Sequence, residues 1–158
     1  MYIKLIGCML VAVSGLSVTY ILNKRASSAL ICAEGWGALI TRIKTEIECF
    51  ALPIGDILSR IDPSIFERCG YTGSAPPKDL HGLLEKTLFT DAETERQAVS
   101  FVSEFGRCYK NEQVERCSYF MALMEERRRK LASELPSKQK LNATLSLAAG
   151  LGAIILFM

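Results

Sequence analysis

Two stretches without a charged residue lie at the ends of the chain, and they restrict its folding more than any other feature. Residues 5–22 read LIGCMLVAVSGLSVTYIL, and residues 141–158 read LNATLSLAAGLGAIILFM. An 18-residue helix is roughly 27 Å long, close to the bilayer hydrocarbon thickness of about 30 Å. Because lipid offers backbone groups no hydrogen-bonding partner, both stretches are predicted to be transmembrane helices.

Each stretch has an alternative interpretation that stays open. The first resembles a cleaved signal peptide, or a lipoprotein leader ending at Cys8, although Lys24 and Arg25 follow it directly without a clear cleavage site. The last resembles a buried core helix or an interfacial helix, although a core helix without a charge on any face is unusual. We favour retained membrane anchors.

Nearly all charged residues lie between the two stretches. Residues 23–140 contain 18 Lys+Arg and 17 Asp+Glu. A disordered chain would need low hydrophobicity and high net charge, whereas 49% of this chain is hydrophobic and its net charge is +2. The balance of charge also argues against a nucleic-acid partner bound by bulk positive charge.

Basic residues flank both stretches on the side of the middle segment. They are Lys24, Arg25, Lys138 and Lys140. Because positive flanks of membrane helices stay in the cytoplasm, the middle segment is predicted to be cytoplasmic, with both termini outside. We predict an N-terminal transmembrane helix over 1–23, a cytoplasmic helical bundle domain over 24–137 and a C-terminal transmembrane helix over 138–158.

The middle segment is predicted to be all-α, a bundle of about five to six helices, because no run alternates with period two. Its first helix has a seam at spacings of three and four: Trp36, Ile40, Ile43, Ile47 and Phe50. Nothing between residues 24 and 29 breaks a helix, so we expect the first membrane helix to continue into this one. A similar seam from Val114 to Leu135 predicts that the last long helix packs antiparallel to the first.

Several short signals predict where helices begin and end. Pro53 and Pro63 are expected to start helices, with Asp62 capping the second. Residues 69–77 read as a loop, and residues 79–89 as a helix. Thr90-Asp91-Ala92-Glu93 reads as a capping box with Thr90 at the N-cap. Pro136 is expected to interrupt the last long helix.

No residue pattern indicates catalysis, a cofactor or a metal ion. The only histidine, His81, has no partner set, and no phosphate-binding loop is present. The six cysteines form no C-x-x-C pair, so we expect small buried hydrophobic residues in a reducing compartment. Paired acids such as Glu46 and Glu48 are expected on solvated faces.

One charged run, residues 127–130, is the best candidate for binding a partner or anionic lipid headgroups. Together with the polar face of the first long helix, it predicts a partner-binding surface of Arg42, Glu46, Arg127, Arg128, Arg129 and Lys130. The alternative is a solvated face on which the run pairs with Glu125 and Glu126 at helical spacing.

Specific motifs resemble a known family, the stage III sporulation protein AB family of endospore-forming bacteria. Leu5 to Val11 is similar to its short apolar opening. Thr45-Glu46-Ile47, then Leu52-Pro53 and Ile57-Leu58, is similar to its L-E-T-E-I segment, T-P-L-P and apolar pair. The order and spacing of these motifs carry the resemblance.

The resemblance continues to the end of the chain. Phe105-Gly106 is similar to the family's F-G before its last long helix. Lys140, Leu145 and Gly150-Leu151 are similar to its tail K-x-x-x-x-L-G-x-x-x-G-L, with Ser146 in place of the first Gly. The family's Leu-Gly-x-Ser-Asp after F-G is missing, and residues 68–90 do not match.

The resemblance implies a function. Family members belong to a channel-like assembly between mother cell and forespore, and are similar to the F-type platform protein of type II secretion. The implied partners are a cytoplasmic secretion-type ATPase, the other membrane proteins of the assembly and membrane lipid; a homo-oligomer is left open. The implied location is the mother-cell membrane facing the forespore. The alternatives are a membrane-anchored helical adaptor or regulator unrelated to sporulation and, less favoured, a membrane-anchored enzyme.

Overall fold

Six helices and no strand are present in the described parts of the chain, which confirms the all-α prediction. The computed structural model describes the backbone of residues 2–50, 52–107 and 109–157, and the side chains of 13–15, 17–50, 52–107, 109–148 and 152. The helices are α1 Tyr2–Phe50, α2 Ile54–Arg60, α3 Pro63–Arg68, α4 Leu80–Glu85, α5 Ala92–Glu104 and α6 Lys110–Phe157. The expected continuation of the first stretch into the next helix is confirmed, because α1 is unbroken.

The chain divides into two compact units. We call residues 28–131 the central unit, and residues 1–27 with 132–158 the terminal unit. The long helices α1 and α6 contribute residues to both units.

The core of the central unit is built on the apolar seam of α1. Trp36, Leu39, Ile40 and Ile43 are fully buried, while Phe50 is 64% exposed, so the seam ends one step earlier than predicted. The other helices add buried residues to the same cluster, among them Ile57, Leu58, Phe66, Leu83, Phe101, Cys117, Phe120 and Met124. Burial of about ten such side chains, each contributing about 1.5–3 kcal/mol, is the main source of stability here.

Contacts between α1 and α6 confirm the antiparallel prediction within the central unit. Near the start of α6, Lys110 Nζ donates to the Glu48 carbonyl oxygen at 2.9 Å. Later in α6, Arg128 pairs with Glu34, an earlier residue of α1. The two helices therefore run in opposite directions.

The short helix α3 begins as its sequence predicts. Asp62 is the N-cap and accepts a hydrogen bond from the Ser64 backbone N–H at 2.8 Å, and Pro63 occupies the first turn. Helix α2 follows Pro53 directly.

The predicted helix over 79–89 is too long. Helix α4 ends at Glu85, and Thr87 instead forms an isolated antiparallel bridge with Tyr71. The Leu88 backbone N–H donates to the Gly70 carbonyl at 2.9 Å. Gly70 has φ +89°, which glycine adopts without strain. Pairing with residues 70–72 therefore replaces the last helical turn.

Two further predictions are wrong. The N-cap of α5 is Asp91 rather than Thr90, because the Asp91 carboxylate accepts from the Thr94 backbone N–H at 2.8 Å and is also bound by Arg127. Pro136 lies inside α6 and does not interrupt it. A proline within a helix removes one backbone hydrogen bond, at a cost of about 3 kcal/mol, and the apolar contacts of a long helix can outweigh that cost.

Within the described residues, no helix is both long enough and apolar enough to cross a membrane. The predicted membrane stretches include side chains that lie outside the described residues, at 5–12 and 16 in the first and at 149–151 and 153–158 in the second.

Candidate partner-binding site

The sequence-predicted pair on α1, Arg42 and Glu46, forms an ion pair within one helix. Arg42 Nη2 lies 3.6 Å from Glu46 Oε1. Glu46 is only 7% exposed, and its Oε2 atom has no hydrogen-bond partner among the residues that the structure describes. The expectation that Glu46 lies on a solvated face is therefore wrong, whereas Glu48 is exposed.

Arg127, the first residue of the charged run, turns toward α5. Its guanidinium donates through Nε to Asp91 Oδ2 at 2.9 Å, and through Nη2 to Asp91 Oδ1. Both side chains are about 85% buried. Burial acts to raise the pKa of Asp91, but hydrogen bonds from Arg127 and Thr94 outweigh it and lower the pKa to about 2. Arg127 thus joins two helices.

The next arginines form a network with two glutamates. Arg128 donates through Nε to Glu125 Oε2 at 2.6 Å, and Arg129 through Nε to Glu125 Oε1 at 2.8 Å. Arg128 Nη1 also lies 3.8 Å from Glu34 Oε1, and Arg68 Nη2 lies 3.1 Å from Glu34 Oε2. Hydrogen bonds from Arg128 and Arg129 lower the pKa of Glu125 to about 2. Lys130 is exposed.

This network borders an open groove of about 470 Å³ between α1 and α6, which we call the arginine groove. It is lined by Ala33, Glu34, Gly37, Ala38, Thr41, Arg68, Met121, Met124, Glu125 and Arg128. The groove brings Arg128 together with Glu34 and Arg68, two residues that the sequence did not single out. Arg127, Arg129, Lys130, Arg42 and Glu46 do not line it.

A second cleft, of about 450 Å³, lies where α1 ends and α6 begins. Its walls are mostly apolar, and it is lined by Ile47, Leu52, Ile54, Asp79, Leu80, His81, Val102, Phe105, Gly106, Lys110 and Gln113. His81 is exposed at the rim. Among the described residues, no hydrogen bond or ion pair connects His81 to a second titratable side chain.

Within the terminal unit, polar side chains connect α1 and α6. Asn142 Nδ2 donates to Asn23 Oδ1 at 2.9 Å, and Ser146 Oγ donates to the Gly15 carbonyl at 3.0 Å. The Thr19 and Ser146 hydroxyls also contact each other. A Cβ atom at Gly15 would lie 3.9 Å from the Ser146 carbonyl oxygen, so the two backbones approach closely.

Large apolar side chains of the same unit are exposed instead of buried. They are Val13, Val18, Tyr20, Ile21, Leu22, Leu141, Leu145 and Leu147, each between 43% and 69% exposed. Among the predicted flanking residues, Lys24, Arg25 and Lys140 are exposed, and Lys138 pairs with Glu134 at 2.8 Å. In the described part of this unit, Thr19, Asn23, Asn142 and Ser146 are thus partly buried where the two helices meet, while these large apolar side chains are exposed.

The described thiols agree with the expectation of buried cysteines, with one exception. Cys32, Cys69 and Cys117 are buried, and Cys49 is exposed. Burial raises the pKa of Cys32 to about 12 and that of Cys117 to about 11. Among the described residues, no group of three or more His, Cys, Asp or Glu side chains could hold a metal ion.

The described residues therefore form an all-α protein. Its central unit has an apolar core and a groove lined in part by arginine and glutamate side chains. Comparison with protein-family models, with curated proteins and with solved structures gives no match.

Proposed function

We propose that this chain is a non-enzymatic membrane scaffold of a secretion-like complex between mother cell and forespore, required for endospore formation. In this proposal two transmembrane helices anchor a cytoplasmic helical bundle to the mother-cell membrane. The bundle docks a cytoplasmic secretion-type ATPase and other membrane proteins of the assembly.

The observation that carries the membrane part of the proposal is the set of exposed large apolar side chains on the terminal unit, together with polar contacts between its two helices. In water, exposed leucine, isoleucine and valine side chains on both helices would be unfavourable, since each buried side chain of this kind contributes about 1.5–3 kcal/mol. In lipid the same surface is favourable, and helices associate through small residues and interhelical hydrogen bonds. Gly15, Ser146, Asn23 and Asn142 supply such contacts.

Side-chain hydroxyls on the outer surface of this unit also suit a lipid environment. Ser17 Oγ donates to the Val13 carbonyl at 2.8 Å, and Thr144 Oγ1 donates to the Lys140 carbonyl at 2.9 Å. Each hydroxyl therefore has a partner four residues earlier in its own helix, and needs no water. The sporulation part of the proposal rests on the sequence resemblance alone.

Deletion of the chain in the source organism tests the sporulation part. We expect loss of heat-resistant spores and reduced forespore gene expression after engulfment, both restored by the wild-type chain. Normal sporulation would contradict the proposal and favour an unrelated membrane adaptor.

Reporter fusions test the membrane part separately. A fluorescent protein fused after Leu131 should be fluorescent, and alkaline phosphatase fused after Met158 should be active, because the bundle is cytoplasmic and the C-terminus is outside. The reverse pattern would contradict the orientation, and recovery of the chain in the soluble fraction would contradict membrane attachment.

A further inference from the structure

Four exposed basic residues lie close together at one end of the apolar surface of the terminal unit. They are Lys24 and Arg25 on α1 and Lys138 and Lys140 on α6, and we call them the basic collar. The hydrogen bond from Asn142 to Asn23 brings the two helices together at this point. Since a helix rises about 1.5 Å per residue, all four residues lie within about 6 Å of this bond along the helix axes.

The positive charge of the basic collar is not balanced within its unit. Glu134 is the only Asp or Glu in residues 1–27 and 132–158, and it pairs with Lys138 at 2.8 Å. Within the described residues, no ion pair connects Lys24, Arg25 or Lys140 to a carboxylate. Three positive charges are therefore left without an acidic partner in the described part of the chain.

Exposed apolar side chains continue from the basic collar along the same helix faces. Residues three, four and seven positions apart share a face of a helix. On α1, Leu22 and Val18 lie three and seven residues before Arg25, and on α6 Leu147 lies seven residues after Lys140. The three apolar side chains are 43%, 55% and 66% exposed. Each face thus has a cation at one end and an apolar surface beyond it.

A phospholipid with a net negative headgroup matches this arrangement, because its phosphate is joined directly to acyl chains. Basic residues beside a membrane helix attract anionic lipids. A zwitterionic headgroup carries an ammonium group of its own, which the three unpaired cations repel. Free phosphate would satisfy the cations but would leave the adjoining apolar surface uncovered.

We propose that the basic collar binds the headgroup of an anionic phospholipid, whose acyl chains lie on the exposed apolar side chains of the same helix faces. Lysine and arginine donate charge-assisted hydrogen bonds to the phosphate oxygens. This inference rests on the proposed membrane attachment and adds the class of lipid. A chain that stays soluble and monodisperse without detergent would contradict both proposals, whereas a detergent-dependent chain without lipid preference would contradict this one alone.

Native mass spectrometry of the full chain in a non-ionic detergent measures the binding of two phospholipids with identical acyl chains. Phosphatidylglycerol is anionic, and phosphatidylcholine is zwitterionic. We expect phosphatidylglycerol to bind about tenfold more tightly. Equal affinity of the two lipids, or binding of neither, would overturn the proposal. Inorganic phosphate at the concentration of the lipid should not displace phosphatidylglycerol, and displacement would show that free phosphate is the ligand and the proposal is wrong.

Variants of the basic collar locate the binding site. Lys24→Gln, Arg25→Gln and Lys140→Gln in one chain should reduce the preference for phosphatidylglycerol to less than about threefold. The matched control removes two lysines and one arginine from exposed positions of the central unit: Arg60→Gln, Lys78→Gln and Lys86→Gln. It should keep the full preference. Equal loss in both chains would show an effect of net charge alone and would overturn the assigned site.

A charge-conserving variant separates charge from packing. Lys24→Arg, Arg25→Lys and Lys140→Arg in one chain keep all three positive charges and should keep the tenfold preference. If the glutamine variant does not fold as judged by circular dichroism, Lys140→Gln alone serves, with an expected reduction of about two- to threefold. An unchanged preference in the folded glutamine variant, or its loss in the folded charge-conserving variant, overturns the proposal.

Discussion

The side-chain carboxylate of Asp91 accepts hydrogen bonds from three groups. It accepts from the Thr94 backbone N–H and hydroxyl, which begins α5, and from Arg127, which connects α5 to α6. Because the ion pair is largely buried, loss of the carboxylate would remove both the cap of α5 and the charge-assisted hydrogen bonds from Arg127. Asp91 is therefore expected to matter more for stability than an ordinary helix cap.

Replacement of Asp91 by alanine should lower the free energy of unfolding by about 2–3 kcal/mol, since it removes hydrogen bonds to a charged group. Asp62→Ala is the matched control, because Asp62 caps α3 in an exposed position and forms no ion pair with the described residues, and its loss should cost about 1 kcal/mol. Urea denaturation followed by fluorescence of Trp36, the only tryptophan, measures both. Equal losses in the two variants would contradict the role assigned to Arg127.

The same carboxylate predicts a dependence of stability on pH. Asp91 titrates near pH 4 in an unfolded chain and at about pH 2 in the folded protein. Its contribution of about 2 kcal/mol is therefore complete above pH 4 and is lost as the pH falls toward 2. Asp91→Asn keeps a capping side chain and removes the charge, so it should flatten the stability profile between pH 4 and 2. Parallel profiles for the two proteins would contradict this.

At the scale of elements, α3 packs against α1 at a single glycine. A Cβ atom at Gly35 would lie 2.5 Å from the Arg68 carbonyl carbon and 2.6 Å from the Cys69 nitrogen. Both atoms belong to the backbone, so no side-chain rotation can relieve the overlap. The end of α3 can lie this close to α1 only because residue 35 has no side chain.

Alanine at Gly35 should therefore destabilise the protein by about 1–3 kcal/mol, although alanine favours a helix over glycine by about 1 kcal/mol. Gly37→Ala, two residues along the same helix, is the control. Its Cβ would meet only Met124 Cβ at an ordinary 3.8 Å, so the variant should be neutral or slightly more stable. Thermal unfolding monitored by circular dichroism distinguishes the two, and equal melting temperatures would contradict the packing argument.

Local sequence patterns correctly predicted the features that depend on residues close in sequence. Pro63 with Asp62 correctly indicated the start of α3, and the seam from Trp36 to Ile47 correctly indicated the buried face of α1. The predictions for the end of α4, the cap of α5 and the effect of Pro136 were wrong. The first two depend on partners distant in sequence, Gly70 and Arg127, which local patterns do not contain.

The candidate site was less predictable than the fold. The run at 127–130 drew attention as a charged face, but Arg127 is largely buried against Asp91. Glu34 and Arg68, which complete the arginine groove, lie 34 residues apart on different helices. No local spacing connects them, so the groove emerges only when α3 folds onto α1.

At the scale of the whole molecule, the two units differ in how far their apolar side chains are buried. The central unit buries apolar residues such as Trp36 and Phe101, and the described part of the terminal unit exposes apolar residues such as Leu22 and Leu145. Burial of apolar side chains suits a unit surrounded by water, and their exposure suits a unit surrounded by lipid. This difference is the physical basis of the proposed membrane attachment.

The hydrogen bond between Asn142 and Asn23 in the terminal unit predicts a measurable coupling free energy between these two residues. In a double-mutant cycle with alanine in nanodiscs, the pair should show a coupling free energy of about 0.6 kcal/mol, and at most about 1.7 kcal/mol. Thr144 is the control, because its hydroxyl bonds within its own helix and should show no coupling to Asn23. Thermal unfolding of the four proteins of each cycle measures both values, and coupling equal to that of the control would contradict the contact.

The buried thiols of the central unit provide intrinsic reporters of local opening. Cys32 in α1 and Cys117 in α6 have pKa values of about 12 and 11, so roughly 1 in 10⁵ and 1 in 10⁴ of these thiols are ionised at pH 7 even before access is considered. Cys49, in contrast, is exposed at the end of α1. The rate at which a maleimide modifies Cys32 or Cys117, relative to Cys49, therefore measures how often each long helix separates from the core.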